Sequence, residues 1–137
     1  MDPERRGILM IVGLGPGTPG LRTPDASAAL ERAEVVVGYR GYLDPIADDL
    51  VGKEILGREL GQEVERARLA LERAAAGQVV ALVSSGDAGV YGMGGVAWEL
   101  AAREAAPVEI AVVPGVTAAL SAAAKLGAPL AHDWACV

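Results

Sequence analysis

Short, unbroken apolar runs constrain this chain more than any other feature. Residues 8–12 (ILMIV), 35–37 (VVV) and 79–83 (VVALV) contain no polar residue at all, and residues 108–113 (VEIAVV) contain one. A strand with one wet face would alternate apolar and polar side chains. These runs do not alternate, so they read as strands buried on both sides, as in a parallel sheet covered by helices above and below. None approaches the ~20 apolar residues that a membrane-spanning helix needs.

The stretches between the runs carry helical signals. Thr23-Pro24-Asp25 combines a hydroxyl cap, a proline at the first helical position and an acid in the first turn. A helix over 24–33 follows, with Ala26, Leu30 and Ala33 on one face. Over 62–76 the apolar positions Val64, Ala67, Leu71 and Ala74 define an inner face, and Gly77 caps the end. Glu65, Arg68 and Glu72 stand three and four apart on the solvated side of that helix. Further helices are expected over 95–104, with Trp98 turned inward, and over 118–126, stopped by Gly127 and Pro129. Residues 46–50 suggest a short helix and 54–56 a further strand. Strand and helix alternate, which predicts an α/β fold: a mainly parallel open sheet with flanking helices and right-handed crossovers.

Composition narrows the function. The chain has 137 residues, 52% hydrophobic and with no phenylalanine, so one domain with a core of small aliphatic side chains is expected over 1–137. The formal net charge is −6 and no lysine/arginine cluster occurs, which argues against nucleic-acid binding. No membrane segment or signal peptide is expected, and the single Cys136 reads as a small buried residue in a reducing cytoplasm. No metal site is expected. The last residues, Trp134-Ala135-Cys136-Val137, look like the opening of another apolar element, so a truncated protein is expected.

Three glycine-containing loops each follow a predicted strand: residues 13–17 (GLGPG), 84–92 (SSGDAGVYG) and 114–117 (PGVT). If the strands are parallel, all three open at one edge of the sheet, where α/β proteins bind ligands. Small residues let a ligand approach the backbone, so a shallow pocket for a nucleotide-like ligand is the leading expectation, although a glycine-rich loop also serves as plain punctuation. The first loop departs from the dinucleotide fingerprint: Thr18 replaces the third glycine, Pro16 and Pro19 interrupt the helix start, and no ribose-binding acid follows the second strand. Arg40 stands there instead, which leaves an NADP-binding oxidoreductase domain as one alternative. A non-catalytic binding domain is another. No GxxxxGK[ST] phosphate loop is present.

Taken together, the GLGPG loop, residues 37–43 (VGYRGYL), residues 85–92 (SGDAGVYG), residues 113–119 (VPGVTAA) and residues 126–133 (LGAPLAHD) resemble the tetrapyrrole (precorrin) methyltransferases. The VGYRGYL and DAGVY segments are most similar to the members that methylate precorrin-3B at C17. The resemblance implies the N-terminal domain of the tetrapyrrole methylase fold, a cytoplasmic homodimer, and S-adenosylmethionine-dependent C-methylation with ring contraction in cobalamin biosynthesis. It assigns Pro16, Ser85, Gly86, Asp87, Val90, Thr117 and Ala118 to the S-adenosylmethionine site. Tyr39, Arg40 and Tyr42 could line the tetrapyrrole trough, with Arg40 pairing with propionate or acetate groups; core packing is the other reading for the tyrosines. His132, the only histidine, stands beside Asp133 as a possible acid–base pair, with a purely structural role as its alternative.

Overall fold

The structure, a computed structural model, describes residues 6–104 and 106–137. Among the described residues, five strands form one sheet: β1 Ile8–Gly13, β2 Val35–Tyr39, β3 Glu54–Arg58, β4 Val79–Ser84 and β5 Glu109–Val113. Their order is β3-β2-β4-β1-β5, and every pairing is parallel. The α-helices are α1 Pro24–Arg32, α2 Arg40–Leu43, α3 Glu63–Ala75, α4 Gly94–Glu104 and α5 Ala118–Leu126, with a 3-10 stretch over Asp44–Leu50. No helix among the described residues is long and apolar enough to cross a membrane.

The unbroken runs are buried on both sides, as their lack of alternation requires. Leu9, Ile11, Val35, Val37, Val80 and Leu82 point to one face, against Ala67, Ala70 and Leu71 of α3 and Ala97 and Leu100 of α4. Met10, Val12, Val36, Ala81 and Val83 point to the other, against Ala26, Ala29 and Leu30 of α1 and against Leu43 and Leu50. The period of two along each strand thus feeds two separate cores. Caps follow the sequence signals: the Ala26 N–H donates to Thr23 Oγ1 at 3.1 Å, and Gly127 ends α5 in the left-handed region at φ 63°.

Three expectations about side chains fail. Trp98 is half exposed, because the buried stripe of α4 runs through Gly94, Ala97, Leu100 and Ala101 and leaves position 98 about a quarter-turn round the helix. Val64 is exposed and Arg66 is buried in its stead, since the inner stripe of α3 is 66, 67, 70, 71 and 74. Cys136 is exposed, in an irregular stretch that follows α5. The charges on α3 also pair differently: Glu65 meets Arg58 at 2.9 Å and Arg68 meets Glu104 of α4 at 3.2 Å.

Candidate functional site

The topology sets the loops after β1 and β4 side by side. The chain leaves β1 through α1 on one face and travels towards β2. From the adjacent β4 it leaves through α4 on the opposite face and travels towards β5. Neighbouring strands whose connections leave on opposite faces in this way have a crevice between their carboxyl ends, a usual ligand position of an open parallel sheet. The loops that flank this crevice are the glycine-containing ones after β1 and β4.

These loops are locked together rather than slack. Gly15 N–H donates to Gly86 O at 2.9 Å, and Gly86 N–H donates to Gly15 O at 2.7 Å. Both glycines have positive φ, 80° and 64°, which side chains rarely adopt. A methyl group on Gly13 would lie 2.7 Å from Gly86 O, 2.8 Å from Gly115 N and 2.9 Å from Ala88 N, so the three loops meet backbone to backbone. Asp87 fastens them: Oδ1 accepts from Gly115 N–H and Oδ2 from Gly89 N–H, each at 2.8 Å. Buried Ser84 Oγ accepts from Met93 N–H at 2.9 Å and closes the loop onto α4.

The structure brings most of the expected cofactor residues together. Pro16 follows the bridging Gly15, and Ser85 and Asp87 flank Gly86. A methyl on Gly86 would lie 3.4 Å from the Ala118 N and 3.6 Å from the Thr117 Cα, which places the start of α5 at the same turn. Thr117 does not cap α5 through its side chain, so its hydroxyl is not spent on the helix. Val90 is exposed on the distal limb of the loop, next to Tyr91, whose φ of 49° is the only positive value among described non-glycine residues.

The other expected residues divide. Tyr42 lies beside the crevice, and the Tyr39 ring meets it edge to face, with centroids 5.0 Å apart and an 89° interplanar angle. Two hollows share Tyr42 and Ser85. One, of about 170 Å³, is lined by Leu14, Gly15, Arg22 and Asp49; the other, of about 120 Å³, by Glu63, Arg66, Tyr91 and Met93. Arg40 lies beside β3 and pairs with Glu59 at 3.1 Å. His132 and Asp133 are exposed in the stretch after α5 and hydrogen-bond to neither glycine loop. Among the described residues no cluster of three or more His, Cys, Asp or Glu side chains is placed to hold a metal.

Two arginines escaped the sequence reading. Arg22 donates to Ser27 at 3.1 Å and pairs with Asp49 at 2.8 Å, tying the first loop to the 44–50 stretch. Arg66 is 3% exposed and donates from Nη2 to Glu63 Oε1 at 2.8 Å. A charge on the apolar stripe of α3 was the available signal for Arg66. The Glu63 carboxyl is held below its ordinary range by the backbone N–H groups of Glu63 and Gly61, and less by Arg66.

Known proteins share this architecture. A solved structure of the methyltransferase CobJ superposes with a TM-score of 0.88 at 43% identity, covering 96% of this chain and 55% of that one. The probable cobalt-factor III C(17)-methyltransferase of Salmonella typhimurium is 43% identical over 127 residues, 93% of this chain and 53% of that protein. The chain therefore spans about half the length of that relative. A uroporphyrin-III C-methyltransferase from Thermus thermophilus, solved with S-adenosyl homocysteine, matches at 33% identity and a TM-score of 0.69, covering 92% of this chain and 50% of that one. Residues 9–136 match the tetrapyrrole (corrin/porphyrin) methylases as a family. A parallel sheet whose glycine lips meet at its carboxyl edge, matched along nearly its whole length, makes this chain a member of the tetrapyrrole methylases.

Proposed function

We propose that this chain forms the N-terminal domain of an S-adenosylmethionine-dependent methyltransferase that methylates a precorrin at C17, with ring contraction, in cobalamin biosynthesis. In this reading a second domain follows and completes the cofactor cleft, and the enzyme works as a cytoplasmic homodimer. The observation that carries it is the meeting of Gly13, Gly86 and Gly115 at the sheet edge, in a fold that matches CobJ. The residues suit the cofactor: the atoms nearest the turn at Gly86 are backbone ones, among them the Ala118 N that opens α5, and the Thr117 side chain does not cap that helix. The bound cofactor supplies an activated methyl on a sulfonium, which leaves as a neutral thioether.

The protein's share is placement and the exclusion of water. Asp87 holds two lips of the crevice at a fixed distance, so the backbone of residues 85–90 is set before the ligand arrives. Tyr42, backed by Tyr39, forms the substrate side, with Arg40 at its rim. His132 beside Asp133 is the proposed proton carrier for the ring contraction; among the described residues neither side chain is hydrogen-bonded. Nothing favours the NADP alternative, since Arg40 stands beside β3 and is engaged by Glu59.

Calorimetric titration of the natural full-length protein with S-adenosylhomocysteine, and in parallel with NADPH, tests the reading. Asp87→Ala should weaken S-adenosylhomocysteine about tenfold while the protein stays folded, because two backbone donors lose their acceptor and the lips part. Binding of NADPH alone would overturn the assignment.

A further inference from the structure

Among the described residues Arg66 is the one buried charged side chain, and its burial is incompletely compensated. Nη2 donates to Glu63, but the buried Nε–H has no partner among the described residues. A guanidinium presents five donors in a planar fork suited to a carboxylate, and an unpaired buried donor is costly to retain. The hollow that Arg66 lines is about 120 Å³ and also exposes Ser85, Tyr42 and Tyr91, each with a hydroxyl able to donate. Tyr91 is held at φ 49° beside it, a backbone state that a non-glycine residue rarely takes.

We infer that the Arg66 hollow receives a carboxylate of the ligand bound in the crevice. This rests on the function proposed above. Two carboxylates are then on offer, that of a peripheral acid side chain of the tetrapyrrole and that of the amino-acid end of S-adenosylmethionine. The position of the hollow favours the tetrapyrrole. It lies on the β2 side of the 85–92 loop, with Tyr42; of the residues assigned to the cofactor only Ser85 lines it, whereas Asp87, Thr117 and Ala118 stand on the β5 side. Glu63 lines the hollow too and balances one charge, so the arriving carboxylate is held by directed hydrogen bonds rather than by net positive charge.

The test uses the natural full-length protein. Arg66→Met should raise KM for the tetrapyrrole about tenfold or more, with kcat and S-adenosylhomocysteine affinity nearly unchanged, and Arg66→Lys should recover part of the loss. A weakened S-adenosylhomocysteine with unchanged tetrapyrrole KM would also support a carboxylate site, but would give it to the cofactor. If neither ligand responds in folded Arg66→Met, Arg66 is only a structural partner of Glu63 and the inference falls. A direct readout covers variants that fail to fold and separates this inference from the functional reading. In the wild-type protein labelled with nitrogen-15, the Arg66 Nε–H resonance should shift with a porphyrin bearing free propionates and not with its methyl ester. Should the resonance ignore both that porphyrin and S-adenosylhomocysteine, the inference is overturned even if methyl transfer is observed. A shift with the free acid in a protein that transfers no methyl group would keep the site and discard the reaction.

Discussion

β4 and β5 have similar sequences and different surroundings. β4, with VVALVS, lies between β2 and β1 and is buried from Val80 to Ser84. β5, with EIAVV, pairs on one side with β1 and none of its residues is fully buried; the helix that follows it, α5, has no buried residue either. Val112 is 44% exposed, whereas its counterpart in register on β1, Ile11, is inaccessible. Hydrophobicity makes a segment a strand, but its place in the sheet and the helices laid over it decide how much that strand stabilises the fold.

The widest contrast is expected between equivalent truncations. Leu82→Ala removes a fully buried side chain from between α3, α4 and the sheet, and should cost about 2–5 kcal/mol in denaturant unfolding. Val112→Ala should stay within about 0.5 kcal/mol, and a larger loss would show that something covers the β5 end in solution. Between these extremes lies the junction of the two regions. Gly13→Ala forces a methyl into the backbone of Gly86, Gly115 and Ala88, and should destabilise by about 1–3 kcal/mol while abolishing S-adenosylhomocysteine binding. Retained binding would show that the lips open more easily than their hydrogen bonds suggest.

Smaller effects sharpen the comparison on the α3–α4 face. Arg68→Ala breaks an exposed pair with Glu104, and should cost about 0.2–1 kcal/mol, less at high salt. Glu63 offers a pH signature. Its folded-state carboxyl titrates below the ordinary 4.5, so its contribution is present above that value and is lost as pH falls through the lower folded-state value. Unfolding measured across that acid range in wild type and Glu63→Gln should converge at low pH and differ slightly above it.

Much of the fold was legible because its signals are local. The limits of α5 fall at Ala118 and Leu126 as the capping residues indicate, and Thr23 caps α1 through its own hydroxyl. That the 13–17, 84–92 and 114–117 loops open at one edge of the sheet followed from parallel strands alone. The site was legible less evenly. Asp87 was read as a cofactor ligand, and the structure shows both its oxygens already accepting backbone N–H groups, a tie that no spacing reveals because Gly115 lies 28 residues away. Arg40 was read as a substrate-side cation, and its pairing with Glu59 beside β3 is a contact that its neighbours in sequence do not reveal.

The sequence by itself determined which segments are strands and helices, that the strands run parallel, and which edge of the sheet carries the glycine loops. These properties follow from residue period, caps and turn chemistry, which act over a few neighbours. Tertiary structure alone decided the order β3-β2-β4-β1-β5, and with it which glycine loops are neighbours. It also turned Trp98 outward and Arg66 inward, and left β5 at an edge. A period tells which residues share a face. Only the elements packed from elsewhere in the chain decide whether that face meets water, an apolar layer or a pocket that still needs a charge.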